Sequence, residues 1–299
     1  MRKVDFVIGG TSRSGTTLVQ RLVGGLHNVQ VAPETHFYAN HRKLWVNLTF
    51  PLSGNDLTEL VNRYAVSVDR ADHDARPPVD AILSTLGGHA RDPFELFTAI
   101  TTNLVAGEGL VGEKTPLHVR WFAHLLERDP ELKVIGIIRH PNGVWKSHQR
   151  VPWGGRDASA LAARWAKDQK AIALVQDQFP HRTLVLRHHH VVRDPGGTQK
   201  RLAEFLGVDD AVLADARHQL GRAEWKKQAA GEIDAGRADW PQDQESPMGR
   251  RHVRAMTYSM RRRFGFPTES AIEHVVDEVS FGSLRRHASR VKAAIGNVF

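Results

Sequence analysis

The stretch VIGGTSRSGTTLVQRL, residues 7–22, restricts the folds open to this chain more than any other. A short apolar run ends in a turn rich in glycine and hydroxyls, and the turn opens into a helix marked by Leu18, Leu22 and Leu26 at helical spacing. Val4, Phe6, Val7 and Ile8 make the preceding run a buried strand. In an open parallel sheet a ligand sits beyond the carboxyl ends of the strands, where a helix start offers unpaired N–H groups and a partial positive charge. Gly9, Gly10 and Gly15 let the backbone approach that ligand; Ser14, Thr16 and Thr17 add hydroxyls, and Arg13 adds a charge. Such a turn is a cradle for phosphate or sulfate.

Three more units repeat the pattern. In GLVGEKTPLHVRWFAHLLERDP, a strand over 110–113 is followed by Thr115 as cap and Pro116 as first residue of a helix burying Leu117, Trp121 and Leu125. In KVIGIIRHPNGVWKSHQR, a strand apolar on both faces, 134–138, leads to a helix opened by Pro141. In TLVLRHHHVVRDPGGTQKRLAEFLG, a strand over 183–187 is followed by Asp194 as cap, Pro195 at the first helical position and Gly207 at the helix end. A short strand is also expected over 29–32. Helical stretches near 55–68, 92–106 and 157–179, the last capped by Asp157, wall a cleft at the strand ends. Strands alternating with helices predict an α/β fold of three layers, a parallel sheet flanked by helices with a P-loop-like phosphate-binding loop. Residues 1–299 are expected to form a single domain, with 222–250 as a loop or lid.

Composition narrows the partners. Lys and Arg number 41 against 33 Asp and Glu, a formal charge of +8, which favours an anionic ligand. The chain has no cysteine, so disulfides, thiolate catalysis and cysteine-held zinc are excluded. Asp5 interrupts the first apolar run, and no later run is long enough to cross a bilayer; the expectation is a cytoplasmic protein with no integral membrane segment. The basic segments GRRHVRAMTYSMRRRFG and LRRHASRVK read as solvated faces, and the aromatic pattern of an RNA-recognition motif is missing, so no nucleic-acid partner is expected.

Gly10 and Gly15 have the spacing of a Walker A loop, but Thr16 stands where its lysine would be. The strand 134–138 runs into Arg139 where a nucleoside triphosphatase would hold a metal-binding aspartate. Both substitutions suit a nucleotide handled by side-chain cations without a metal. A kinase-type phosphotransferase and a non-enzymatic polyanion binder are the rival readings.

These residues resemble the sulfotransferases that use 3′-phosphoadenosine-5′-phosphosulfate, in ordered pieces over residues 4–207. SRSGTTL looks like the loop that binds the 5′-phosphosulfate, through Arg13, Ser14, Gly15, Thr16 and Thr17. IIRHPNGVWKSHQR looks like the strand and helix that bind the 3′-phosphate, through Arg139 and Ser147. The resemblance, to the branch with arginine in the loop, implies Glu34 in VAPETHFYA as general base, with His36 as the rival base or an acceptor contact. Arg13 and Lys114 are implied as the cations on the leaving oxygen and the transferring group.

Relatives often carry Tyr-Glu after the fourth strand, whereas this chain has RHHHVVRDP; His188 takes the place of the aromatic residue and is implied as a nucleotide contact. Neighbouring side chains on a strand point to opposite faces, so His188, His189 and His190 are not expected to form a metal site. Arg250 or Arg251 is implied as a second contact to the 3′-phosphate. His36, Phe37 and Trp153 are expected on the acceptor side, facing a small-molecule, carbohydrate or lipid alcohol.

Overall fold

The computed structural model describes residues 2–70, 77–209, 233, 235–240 and 246–267. Its first half opens with strand β1 (Phe6–Gly10), helix α1 (Thr16–Gly24) and strand β2 (Val29–Ala32). There follow β3 (Leu52–Ser53), α2 (Gly54–Arg70), α3 (Val79–Thr85), β4 (His89–Ala90) and α4 (Pro93–Asn103). Next come β5 (Leu110–Lys114), a 3-10 turn (Pro116–Trp121), α5 (Phe122–Arg128), β6 (Lys133–Ile138) and α6 (Pro141–His148). The long α7 (Ala158–Gln178) leads to β7 (Thr183–Arg187), α8 (His188–Arg193) and α9 (Pro195–Leu206), and α10 (Arg251–Arg263) is the last described helix.

Five strands form one sheet in the order β2-β5-β1-β6-β7, every neighbouring pair parallel. From β1 the chain builds one half, β2 and β5, and then crosses to build the other, β6 and β7. The order reverses between β1 and β6, which opens a crevice at their carboxyl ends where ligands of open sheets bind.

Alternation along the strands explains why both faces are covered. Val7, Val134 and Ile138 face a core shared with α2, α4, α5 and α7, whereas Phe6, Ile8, Ile135 and Ile137 face a second core under α1 and α9. Asp157, Asp92 and Asp194 cap α7, α4 and α9 with their carboxylates, and Pro lies at the start of α4, α6 and α9. β3 and β4 pair as a small antiparallel sheet between the helices, which no periodicity in so short a run announced.

Several local expectations change. Residues 116–121 wind as a 3-10 turn, and the buried positions there are His118 and Val119, with Leu117 and Trp121 half-buried. Thr115 sits at the cap position but makes no capping bond, because its hydroxyl donates to Glu113 instead. The histidine triplet does not continue a strand: it forms the first turn of α8, where successive side chains fan out around a helix. The expected lid over 222–250 lies largely outside the described residues; within it, short 3-10 turns form at Ala235–Ala238 and Pro247–Gly249. The basic stretch after residue 284 lies outside them as well.

Candidate active site

The phosphate loop leaves β1 at Gly10 and enters α1 at Thr16. Gly15, the residue before the helix, has φ 101°, and a Cβ there would lie 2.7 Å from His188 Cδ2. Only glycine satisfies both demands at low cost. No side chain caps α1, its first turn holds no acidic residue, and the buried Ser14 Oγ has no hydrogen-bond partner among the described residues. Uncapped amides and an orphaned hydroxyl at a helix start fit an anion, which would satisfy both.

Arg13 adopts φ 71°, a left-handed conformation costing a non-glycine residue roughly 1–2 kcal/mol. It carries two contacts there: its Nε donates to Ser147 Oγ at 3.1 Å, and its carbonyl accepts from Arg139 Nη1 at 3.2 Å. Arg13 thus touches both Arg139 and Ser147, which ties the loop after β1 to the segment after β6. The loop carbonyl of Ser12 accepts from His148 Nε2 at 3.3 Å, and burial pushes the imidazole of His148 down to about 4, so it stays neutral near pH 7.

Helix α7 braces both limbs of the crevice. Trp165, fully buried, donates its indole N–H to the Arg139 carbonyl at 2.9 Å, and Gln169 Nε2 donates to Thr11 Oγ1 at 3.0 Å. One residue away, Asp168 pairs with Arg120 at 2.6 Å; burial raises its carboxyl despite that cation. On the outer side, His140 stacks on Trp240 with centroids 4.6 Å apart, and Arg261 Nη2 donates to its Nε2 at 3.1 Å. Burial, with Arg261 adding to it, lowers this imidazole to about 2.

The second half of the site lies across β5. Glu34 follows β2, and Lys114 is the last residue of β5. The Lys114 side chain is 2% exposed and its Nζ donates to Glu34 Oε1; His36 Nε2 lies 2.9 Å from the other carboxylate oxygen. Burial would raise Glu34, but the charge of Lys114 and the contacts with Lys114 and His36 outweigh it and hold the carboxyl well below the usual range. At neutral pH Glu34 is an ionised, mostly buried proton acceptor beside a cation, and that cation keeps its basicity low. His36, like Arg13, has a positive φ, 50°. Among the described residues, two of the three non-glycine residues with positive φ therefore fall in this site, where backbone strain commonly collects.

Other expected contacts sit elsewhere. Phe37 does not face an acceptor: it is 1% exposed, stacked on Trp45 at 5.3 Å and packed edge-on to Tyr38 and Tyr64. Four aromatic rings competing for one apolar space draw it inward. His188 is buried behind Gly15 and supports the loop rather than presenting a stacking face. Trp153 is half-exposed beyond α6, its ring edge-on to His148 at 5.5 Å. Arg250 is exposed at the start of α10. Sequence reasoning missed Glu113 and His118, both fully buried and both beside Lys114 in the GEKTPLH stretch; a carboxylate inside a buried strand was the available signal.

The model of the Sulfotransferase family matches residues 5–211, more than half of the chain and all of the sheet. This chain belongs to the sulfotransferase family. It is a transferase, as the resemblance to the enzymes that use 3′-phosphoadenosine-5′-phosphosulfate implied. Among solved structures it is similar to the sulfotransferase domain from the curacin biosynthetic pathway, at 18% identity and TM-score 0.55, over 90% of this chain and 99% of that one. The sulfotransferase domain from the Synechococcus PCC 7002 olefin synthase is similar at 18% identity and TM-score 0.54, over 90% of this chain and 96% of that one. Sulfotransferase STF9 from Mycobacterium avium follows at 13% identity and TM-score 0.50, over 90% and 79%. At these identities the likeness is one of fold. No curated relative matches the chain. No described helix is long and apolar enough to cross a membrane.

Proposed function

We propose that this sulfotransferase moves the sulfuryl group of 3′-phosphoadenosine-5′-phosphosulfate to a hydroxyl of a carbohydrate or small-molecule acceptor, with Glu34 as general base. The observation that carries the reading is the Glu34–Lys114 pair, held at the ends of β2 and β5 on the same edge of the sheet as the phosphate loop. As the acceptor oxygen bonds to sulfur, its proton passes to Glu34; the bond from sulfur to the phosphate oxygen breaks, and adenosine 3′,5′-bisphosphate departs with the electron pair. Lys114, Arg13 and the amides at the start of α1 offset the charge that builds on the sulfuryl and leaving oxygens. Arg139 and Ser147 would take the 3′-phosphate, their cation and hydroxyl facing the same crevice as the loop. Metabolite alcohols suit the acceptor side, since two similar structures come from a curacin pathway and an olefin synthase.

Calorimetry tests the donor. Adenosine 3′,5′-bisphosphate should bind roughly 10- to 100-fold more tightly than ADP at moderate salt, the worth of charge-assisted contacts to one added phosphate. Equal affinities would remove the nucleotide reading, and a magnesium-dependent preference for ATP would replace it with a kinase. Arg139→Ala should abolish most of that preference, a loss of about 10- to 100-fold for adenosine 3′,5′-bisphosphate with little change for ADP. Loss for both nucleotides alike would assign Arg139 to the loop alone, through its bond to the Arg13 carbonyl.

A further inference from the structure

The segment that carries Glu34 and His36 lies just past the end of the β2–β5 ladder, whose last pair is Ala32 with Glu113. Beyond it no ladder holds the backbone, and three side chains from the next residues of the partner strand and turn take over. Glu113 Oε1 accepts from the Thr35 amide at 3.1 Å, Thr115 Oγ1 accepts from the His36 amide at 3.1 Å, and His118 Nε2 accepts from the Tyr38 amide at 3.2 Å. The amide skipped by this series, Phe37, donates to Thr35 Oγ1 at 3.4 Å. From the opposite side, Tyr64 OH donates to the Thr35 carbonyl at 2.8 Å.

The three side chains are themselves tied together. The Glu113 carboxylate, fully buried, accepts from Thr35 Oγ1 at 2.9 Å, Thr115 Oγ1 at 2.5 Å and His118 Nδ1 at 2.8 Å, in addition to the Thr35 amide. A backbone amide only donates, so the Tyr38 contact makes His118 Nε2 the acceptor and leaves the proton on Nδ1, aimed at Glu113. Every donor around Glu113 therefore suits a carboxylate. Burial opposes its ionisation, but His118 and the hydroxyls outweigh that and keep it low. The strained backbone at His36 persists because Thr115 holds its amide.

We propose that Glu113, Thr115 and His118 are positioning residues for sulfuryl transfer: they dock residues 35–38 against β5 so that Glu34 meets Lys114 in working geometry. This inference rests on the reading of Glu34 as general base. None of the three touches the reacting atoms; each acts through the backbone that bears the base. A misplacement of about 1 Å can cost roughly 100-fold in rate, so a hydrogen bond remote from the chemistry has leverage on turnover without touching the nucleotide.

Thr115→Val removes the hydroxyl at nearly constant volume, and Thr115→Ser restores it. Three readouts apply: the Kd of adenosine 3′,5′-bisphosphate by calorimetry, formation of that product from the donor with water as acceptor, and the carboxyl titration of Glu34 by carbon NMR in the nucleotide-free protein. Thr115→Val should leave the Kd within about twofold, lower kcat by roughly 10- to 100-fold at unchanged donor KM, and raise the Glu34 midpoint as the carboxylate drifts from Lys114. Thr115→Ser should recover both the kcat and the midpoint. Should Thr115→Val fail to fold, His118→Asn keeps a donor near Glu113 while losing the Tyr38 contact, and the same split is expected of it. Wild-type kcat and titration in the folded variant, or parallel losses in Kd and kcat, would overturn the proposal. Run alongside, Glu34→Gln separates the two ideas: an inactive Glu34→Gln beside an unaffected Thr115→Val sinks the positioning role alone, and an active Glu34→Gln sinks the base itself.

Discussion

Replacing Glu34 by glutamine should lower donor turnover by about 100- to 10,000-fold while leaving the affinity for adenosine 3′,5′-bisphosphate nearly unchanged. Glutamine keeps the shape and can still accept from Lys114, so the ground-state site survives; what disappears is a group able to take a proton. The carboxylate is ionised at neutral pH because Lys114 and His36 sit against it, and this same pairing makes it a weak base in the nucleotide-free protein. In the proposed mechanism, a bound sulfuryl group that drew Lys114 toward its oxygens would take away part of that neutralising charge and make the carboxylate more basic. The measurement is single-turnover formation of the bisphosphate, with calorimetry as the control. Full activity in the variant would transfer the role to His36, whose imidazole lies within hydrogen-bond reach of Glu34.

Lys114→Met carries the second large effect, and it falls on rate, pH dependence and stability together. Losing one preorganised cation at the transferring group should cost roughly 100- to 1,000-fold in kcat. Glu34 would then be a mostly buried carboxylate supported only by His36, so its midpoint rises and the acid limb of kcat/KM moves to higher pH. The stability change has a definite sign. In the wild type the folded carboxyl lies below its ordinary value of 4.5, so the pair stabilises the fold above that pH and the contribution fades as pH falls toward the lowered value. Removing Lys114 takes that contribution away and leaves a buried charge without its main partner, about 3–5 kcal/mol, toward the lower end because His36 remains. Acid unfolding followed by circular dichroism should begin at higher pH in Lys114→Met. An unshifted acid limb with unshifted acid unfolding would mean that Lys114 does not govern the charge of Glu34.

The parallel sheet and its phosphate loop were legible in the sequence because the signals are local. Alternating strands and helices, Pro141 and Pro195 at helix starts and Asp157 and Asp194 as caps lie within single segments. The strand over Val29–Ala32 and the helix over Ala158–Gln178 follow the same logic, for a run's own periodicity reports which of its faces is apolar. The gathering of Glu34 and Lys114 was legible at one remove, since residues that end parallel strands share an edge whatever the strand order.

What the sequence left open was which faces meet. Phe37 reads as an aromatic beside a base, yet packing against Trp45, Tyr38 and Tyr64 turns it into the core. His188 reads as a nucleotide contact, yet the helix starting there sets it behind Gly15. Arg13 binds Ser147 across 134 residues, and Glu113 holds Thr35 across 78. By itself the sequence determined the layers, the loop and the edge on which the chemistry must lie, because these follow from spacing within an element. Only the tertiary structure decided that GEKTPLH both pairs Lys114 with Glu34 and holds the backbone amides of residues 35, 36 and 38, because a hydrogen bond between distant segments has no period to betray it.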